Sequence, residues 1–122
     1  AKLDPRWHEV VFVLEEKLRP NQDLSGLDFS KLCLYSYDLR NAILLKADLS
    51  ETQLSWANLT GANLQGANLK DAHLGSTNLA GADLTGANVT EEQLATAVLC
   101  KTLLPNGQIS NSGCDLLPGA TP

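Results

Sequence analysis

Residues 57–71 read Ala57-Asn58-Leu59-Thr60-Gly61, Ala62-Asn63-Leu64-Gln65-Gly66, Ala67-Asn68-Leu69-Lys70-Asp71. One five-residue unit occurs three times in succession. Working outward from Leu64 in steps of five reaches Leu24, Phe29, Leu34, Leu39, Leu44, Leu49, Leu54 and Leu59 on one side, and Leu69, Leu74, Leu79, Leu84 and Val89 on the other. Every position in that series is apolar. Two residues before each, from Ala42 onward, stands Ala or Thr. Between the two lies Asp or Asn at most units, as at Asp48, Asn58, Asn68 and Asp83. Gly often closes the unit, as at Gly61, Gly66, Gly81 and Gly86.

A helix cannot use this period, because five residues at 100° each carry the apolar series around its circumference. One long strand fails as well, since an odd period alternates faces. A short extended segment followed by a tight turn satisfies it. The Ala and Leu two apart then share one side. The Asp or Asn between them points out, where a short polar side chain supports a turn, and Gly suits a corner because it tolerates positive φ.

Units such as Ala62-Asn63-Leu64-Gln65-Gly66 and Ala67-Asn68-Leu69-Lys70-Asp71 resemble those of pentapeptide-repeat proteins, written A-(D/N)-L-x-x. The resemblance covers residues 22–89. It implies an all-β solenoid, a right-handed quadrilateral β-helix with four units to a coil, here about 3.5–4 coils. At a strand-like spacing of about 4.8 Å the tower is about 17 Å tall.

Both ends of such a tower need covering. Residues 1–21 are expected to form an N-terminal capping helix: Asp4 suits the N-cap, Pro5 the first helical position, and Trp7, Val10, Val11, Leu14 and Leu18 fall on one face. Its seat is the first coil, where Gln22, Leu27, Leu32 and Tyr37 replace the later Ala or Thr. Residues 90–122 form a C-terminal helix and tail. Thr90-Glu91-Glu92-Gln93 fits a capping box, with a short helix expected through about Val98, and Pro105-Asn106-Gly107 signals a turn.

The tail, with Cys100 and Cys114 flanking that turn, resembles the C-terminal extension of cyanobacterial and chloroplast thylakoid-lumen members. With this resemblance goes the expectation that Cys100 pairs with Cys114 and that Cys33 is free. An oxidised pair favours a thylakoid lumen or periplasm, and a reduced pair favours the cytoplasm. The sequence has no Met, so Ala1 is expected to be a processed or trimmed terminus.

Composition narrows the function. The 122 residues carry 9 Lys plus Arg against 14 Asp plus Glu, a net charge of -5, which disfavours a nucleic-acid partner. No apolar run approaches the length of about 18 residues needed for a membrane span, so no membrane insertion is expected. No phosphate-binding, dinucleotide or zinc motif is present, and neither cofactor nor metal is expected.

Residues twenty apart should stack. Cys33, Gln53 and His73 then form one column, but Cys33 and His73 sit two coils apart, about 10 Å, beyond the contact a nucleophile and base require. Asp28 and Asp48 stack as neighbours, a spacing open to a glycosidase pair. That repeat position takes Asp or Asn throughout, on a convex face without a cleft. His8 falls on the polar side of the cap helix and suggests no site. No enzyme activity is expected.

Outward positions carry Tyr35, Ile43, Leu45 and Trp56. Tyr35 and Trp56 are the candidate partner surface, since aromatic residues serve as interface anchors. The expected function is a non-enzymatic structural or protein-interaction module with an unidentified protein partner, and the chain is expected to be a monomer. The alternative is a DNA-mimicking regulator of DNA gyrase or a topoisomerase, an activity of some family members. The short tower, the Leu-rich centre and the cations Lys31, Arg40, Lys46 and Lys70 depart from that pattern.

Overall fold

The computed structural model of the chain describes residues 18–117. The expected cap helix, with Trp7, His8 and Leu14, lies outside the described residues.

Through Val89 the five-residue unit sets the turns of the backbone. At Asn63-Leu64, the Asn63 N–H donates to the Ala42 carbonyl one level away (2.9 Å), and the Leu64 N–H donates to the Asp83 carbonyl on the other side (2.7 Å). The Leu64 carbonyl accepts from the Ala67 N–H (3.0 Å), closing a four-residue turn. The third residue of that turn, Gly66, has φ 67°. Positive φ there marks a type II turn. The same bonds recur along the chain, so the direction changes every five residues and pairing recurs every twenty. Four sides per level follow.

Parallel bridges record the sides as columns: Asp23, Ile43, Asn63, Asp83, Leu103; Asp28, Asp48, Asn68, Asn88; Cys33, Gln53, His73; and Asp38, Asn58, Asn78, Val98. The Asp or Asn at these positions also holds the turn. Its Oδ1 accepts the backbone N–H two residues on, as in Asp28 to Ser30 (2.9 Å) and Asn78 to Ala80 (3.0 Å). Such Asx geometry explains the preference for short polar acceptors.

The centre of the tower holds the Leu series. Leu24, Phe29, Leu54, Leu59, Leu64 and Leu84 have no exposed surface. Ala42, Ala47, Ala57, Ala62, Ala67 and Ala82 pack beside them. Three inward positions carry Thr instead. Their hydroxyls are satisfied internally: Thr52 donates to the Leu49 carbonyl, Thr77 to that of Leu54 and Thr102 to that of Leu79, each at 2.7 Å. In the first level Leu27, Leu32 and Tyr37 are half-buried against the core, as is Leu18.

The ladder runs past Val89. Val98 pairs with Asn78 and Leu103 with Asp83. Leu94 and Leu99 are buried and Leu104 packs against the core, so the step of five continues through all three. In the third side a helix, α1 (Glu91–Ala95), takes the place of one unit. Thr90 caps it through a capping box with Gln93. The helix stops at Ala95, short of the expected Val98, because Thr96 closes it and Val98 returns to the ladder. Gln93 has a second task. Its amide nitrogen donates to the Ala72 carbonyl (2.9 Å), which another rung would otherwise have met, and to the Leu69 carbonyl (2.8 Å), which also closes its own turn.

Beyond it, β1 (Thr102–Leu103) pairs antiparallel with β2 (Ile109–Ser110) across the Pro105-Asn106-Gly107 turn. A short 3-10 turn, Cys114–Leu116, follows, and Cys100 and Cys114 are joined by a disulfide.

Leu64→Ala leaves a cavity in a core with no side chain free to collapse into it. The expected cost is about 2 to 5 kcal/mol in denaturant melts. A loss below about 1 kcal/mol would contradict the inward assignment.

Candidate functional site

Each unit presents outward its bridge residue and the two middle residues of its turn. On the third side and its corner this puts Tyr35 above Ser55 and Gly75, and Trp56 between Ser36 and Ser76. The Ser36 N–H donates to the Ser55 carbonyl (3.1 Å), and the Trp56 N–H to that of Gly75 (3.0 Å). Tyr35 is 56% exposed and Trp56 63% exposed. Trp56 has φ 64°, the left-handed region. Bulky residues are rarely found there. Gly61, Gly66, Gly81 and Gly86 occupy equivalent corners with positive φ without that cost. Through Leu117 the C-terminal tail leaves Trp56 uncovered.

The other outward apolar residues separate from this pair. Ile43 is 37% exposed on the first side. Leu45, expected to point outward, is half-buried. It flanks an open furrow of about 620 Å³ along the corner of Gly26, Lys46, Gly66 and Gly86. The Lys46 stem lies over Gly66, where a Cβ would meet its Cγ at 3.2 Å.

Cys33 and His73 both pair with Gln53, from opposite sides, and therefore stand two levels apart. Cys33 is exposed and free. Asp28 and Asp48 are bridge partners. Each uses Oδ1 to hold its own turn, through the N–H groups of Ser30 and Ser50 respectively. The Ser30 hydroxyl, with its backbone N–H, keeps the Asp28 carboxyl below the ordinary value near 3.8. This lowering favours a permanent carboxylate rather than a general acid. Asp23 is lowered in the same way by Ser25. Asp38 is lowered chiefly by Arg40, whose Nε and Nη2 both donate to it at 2.8 Å. Among the described residues no group of three or more His, Cys, Asp or Glu side chains is arranged to hold a metal ion. No helix among them is long and apolar enough to cross a membrane.

A family profile described as pentapeptide repeats matches residues 52–90 in eight copies. The chain therefore carries pentapeptide repeats over this stretch. Its ladder is accordingly a right-handed β-helix. Among solved structures, a pentapeptide repeat protein from the Arabidopsis thaliana thylakoid lumen is 33% identical, with a TM-score of 0.56, over 75% of this chain and 59% of that one. The pentapeptide repeat protein Rfr23 of the cyanobacterium Cyanothece 51142 is 37% identical over 75% of this chain and 63% of its own, with a TM-score of 0.38. HetL, a pentapeptide repeat protein of Nostoc sp. strain PCC 7120 involved in heterocyst differentiation regulation, is 34% identical over 74% and 44%, with a TM-score of 0.30. The chain thus spans less than two thirds of the length of each. No functionally curated protein matches it.

The repeat register and the capping box at Thr90 were both signals in the sequence. The left-handed backbone of Trp56 was not separately marked, yet its position in the five-residue count, equivalent to Gly61 and Gly66, specifies it.

For this pentapeptide-repeat chain the carboxylates are expected to set the acid limit of stability. Asp38 has a folded-state pKa below its unfolded value, so its contribution is present above about pH 3.9 and is lost as pH falls through the lower folded value. Asp38→Asn is expected to narrow the difference in melting temperature between pH 5 and pH 2.5, by a small margin since the Arg40 pair is solvated. An unchanged difference would remove Asp38 from that role.

Proposed function

We propose that the protein is a non-enzymatic protein-interaction module that presents Tyr35 and Trp56 to a protein partner. The observation that carries this reading is the exposure of two aromatic rings, Tyr35 and Trp56, on neighbouring levels of one side and its corner. The corner position of Trp56 is filled elsewhere by Gly or by polar residues such as Lys46, Glu51 and Asp71, and the sequence instead places its bulkiest side chain there, 63% exposed. The residues around it, Ser36, Ser55, Gly75 and Ser76, are small and allow close approach. Tyr and Trp bury a large area with few rotatable bonds, which suits them as anchors.

The compartment we propose is an oxidising one of the thylakoid-lumen or periplasmic kind. The disulfide between Cys100 and Cys114 supports it, as does the similarity to a thylakoid-lumen pentapeptide repeat protein.

Native pull-down with the intact chain and with the Tyr35→Ser/Trp56→Ser double variant tests the surface. A specific protein retained by the intact chain and lost, by at least tenfold, from an equally stable variant is the expected result. Equal capture by both would place the contact elsewhere. Inhibition of gyrase supercoiling by the intact chain would favour the DNA-mimic alternative instead.

A further inference from the structure

We infer that the Cys100–Cys114 disulfide is a redox latch: its reduction releases residues 105–117 from the last rung and bares that rung's backbone edge. The inference stands apart from the Tyr35–Trp56 surface.

The evidence lies in what holds this segment down. The Lys101 N–H has no further coil to bond with, and the tail supplies a substitute; the tail also caps the Leu99 carbonyl. The Gly113 N–H donates to the Leu99 carbonyl (2.7 Å). The Asn111 side-chain oxygen accepts the Lys101 N–H (2.8 Å), standing where the carbonyl of another coil would lie. Gly113 reaches its place because it has no side chain: a Cβ would lie 3.0 Å from the Leu99 nitrogen and 3.2 Å from its carbonyl oxygen. The β1–β2 pairing adds two residues from each strand, and the Pro105 carbonyl accepts the Gly86 N–H (3.0 Å).

Apolar burial contributes little: Pro105 and Leu117 are half-buried, and no residue of the segment belongs to the core. In residues 105–117 the buried position is Gly113, which has no side chain, while Ile109 is 64% and Leu116 70% exposed. A segment held by a few polar bonds and no core contact opens readily. The covalent link is the one strong restraint. Closing a loop of this size favours the seated state by about a hundredfold in the chain-entropy account.

The link is also placed for reduction. Cys100 and Cys114 are half-buried rather than enclosed, with Lys101 and Asp115 exposed beside them. In the reaction a thiolate of a dithiol reductant attacks one sulfur and forms a mixed disulfide. Its second thiol then displaces the remaining cysteine. Two electrons and two protons pass to the protein, leaving two Cys thiols, and the reductant becomes a disulfide. The core of the tower, from Leu24 to Leu99, includes no residue of the segment.

Amide hydrogen exchange of the full chain, with and without dithiothreitol, tests this. Reduction is expected to lower protection at Lys101 and Gly113 by about a hundredfold and to leave Asn63 and Leu64 unchanged. Cys114→Ser should show the same pattern without reductant. Unchanged protection at Lys101 and Gly113 would overturn the latch. Equal loss at Leu64 would overturn it too, by showing that the disulfide holds the whole tower.

Discussion

Four corners of the chain in every twenty residues, each with one residue in the left-handed region, form the constraint behind this structure. If a corner fails, the bridge residues of that side no longer lie over those of the next level. The backbone bonds along the column are then lost, and the Leu after the bridge residue turns out of the core. Gly meets the requirement at Gly26, Gly61, Gly66, Gly81 and Gly86. At Lys31, Asn41, Lys46, Glu51 and Asp71 an ordinary residue is held left-handed by bonds on both sides of it. Left-handed backbone costs an L-residue about 1–2 kcal/mol. The cooperative ladder offsets that cost, which is why repeat towers tolerate corners that an isolated turn would not.

The inside of the tower was legible because its geometry has a single period. Once Leu64 is set inward, a step of five fixes Leu24 and Leu84 alike, and the Asp or Asn before each takes the turn-holding role. The same step, carried on, includes Leu94, Leu99 and Leu104, all of which pack on the core. The change of composition after Val89 concealed this. Only at Glu91–Ala95 does a helix replace a unit, and even there Leu94 keeps its inward place. Hydrogen-bond substitution by Gln93 and Asn111 was not legible. It depends on which backbone groups the last level leaves unmet, and that is a property of the assembled tower.

The candidate surface was read less directly. Outward positions have no periodic constraint, so Tyr35 and Trp56 stood out by residue type alone. Leu45, of equal promise in sequence, is half-buried beside a corner furrow. What distinguishes Trp56 is the coincidence of an exposed ring with an unfavourable backbone. The Cys33, Gln53, His73 column shows the opposite case. Residue types that suggest chemistry are kept apart by the spacing between levels, and the bridges through Gln53 maintain that separation.

The most direct test of the corner constraint is to compare Gly and Ala at position 56. Both substitutions remove the indole, so its packing cancels between them. In ordinary extended or helical backbone Ala is the more stable by roughly 0.5–1 kcal/mol. At a left-handed corner the order reverses, and Trp56→Gly should exceed Trp56→Ala by about 1 kcal/mol in urea melts. If the Ala variant proves the more stable, the corner is not left-handed, and the account of both the tower and Trp56 is wrong.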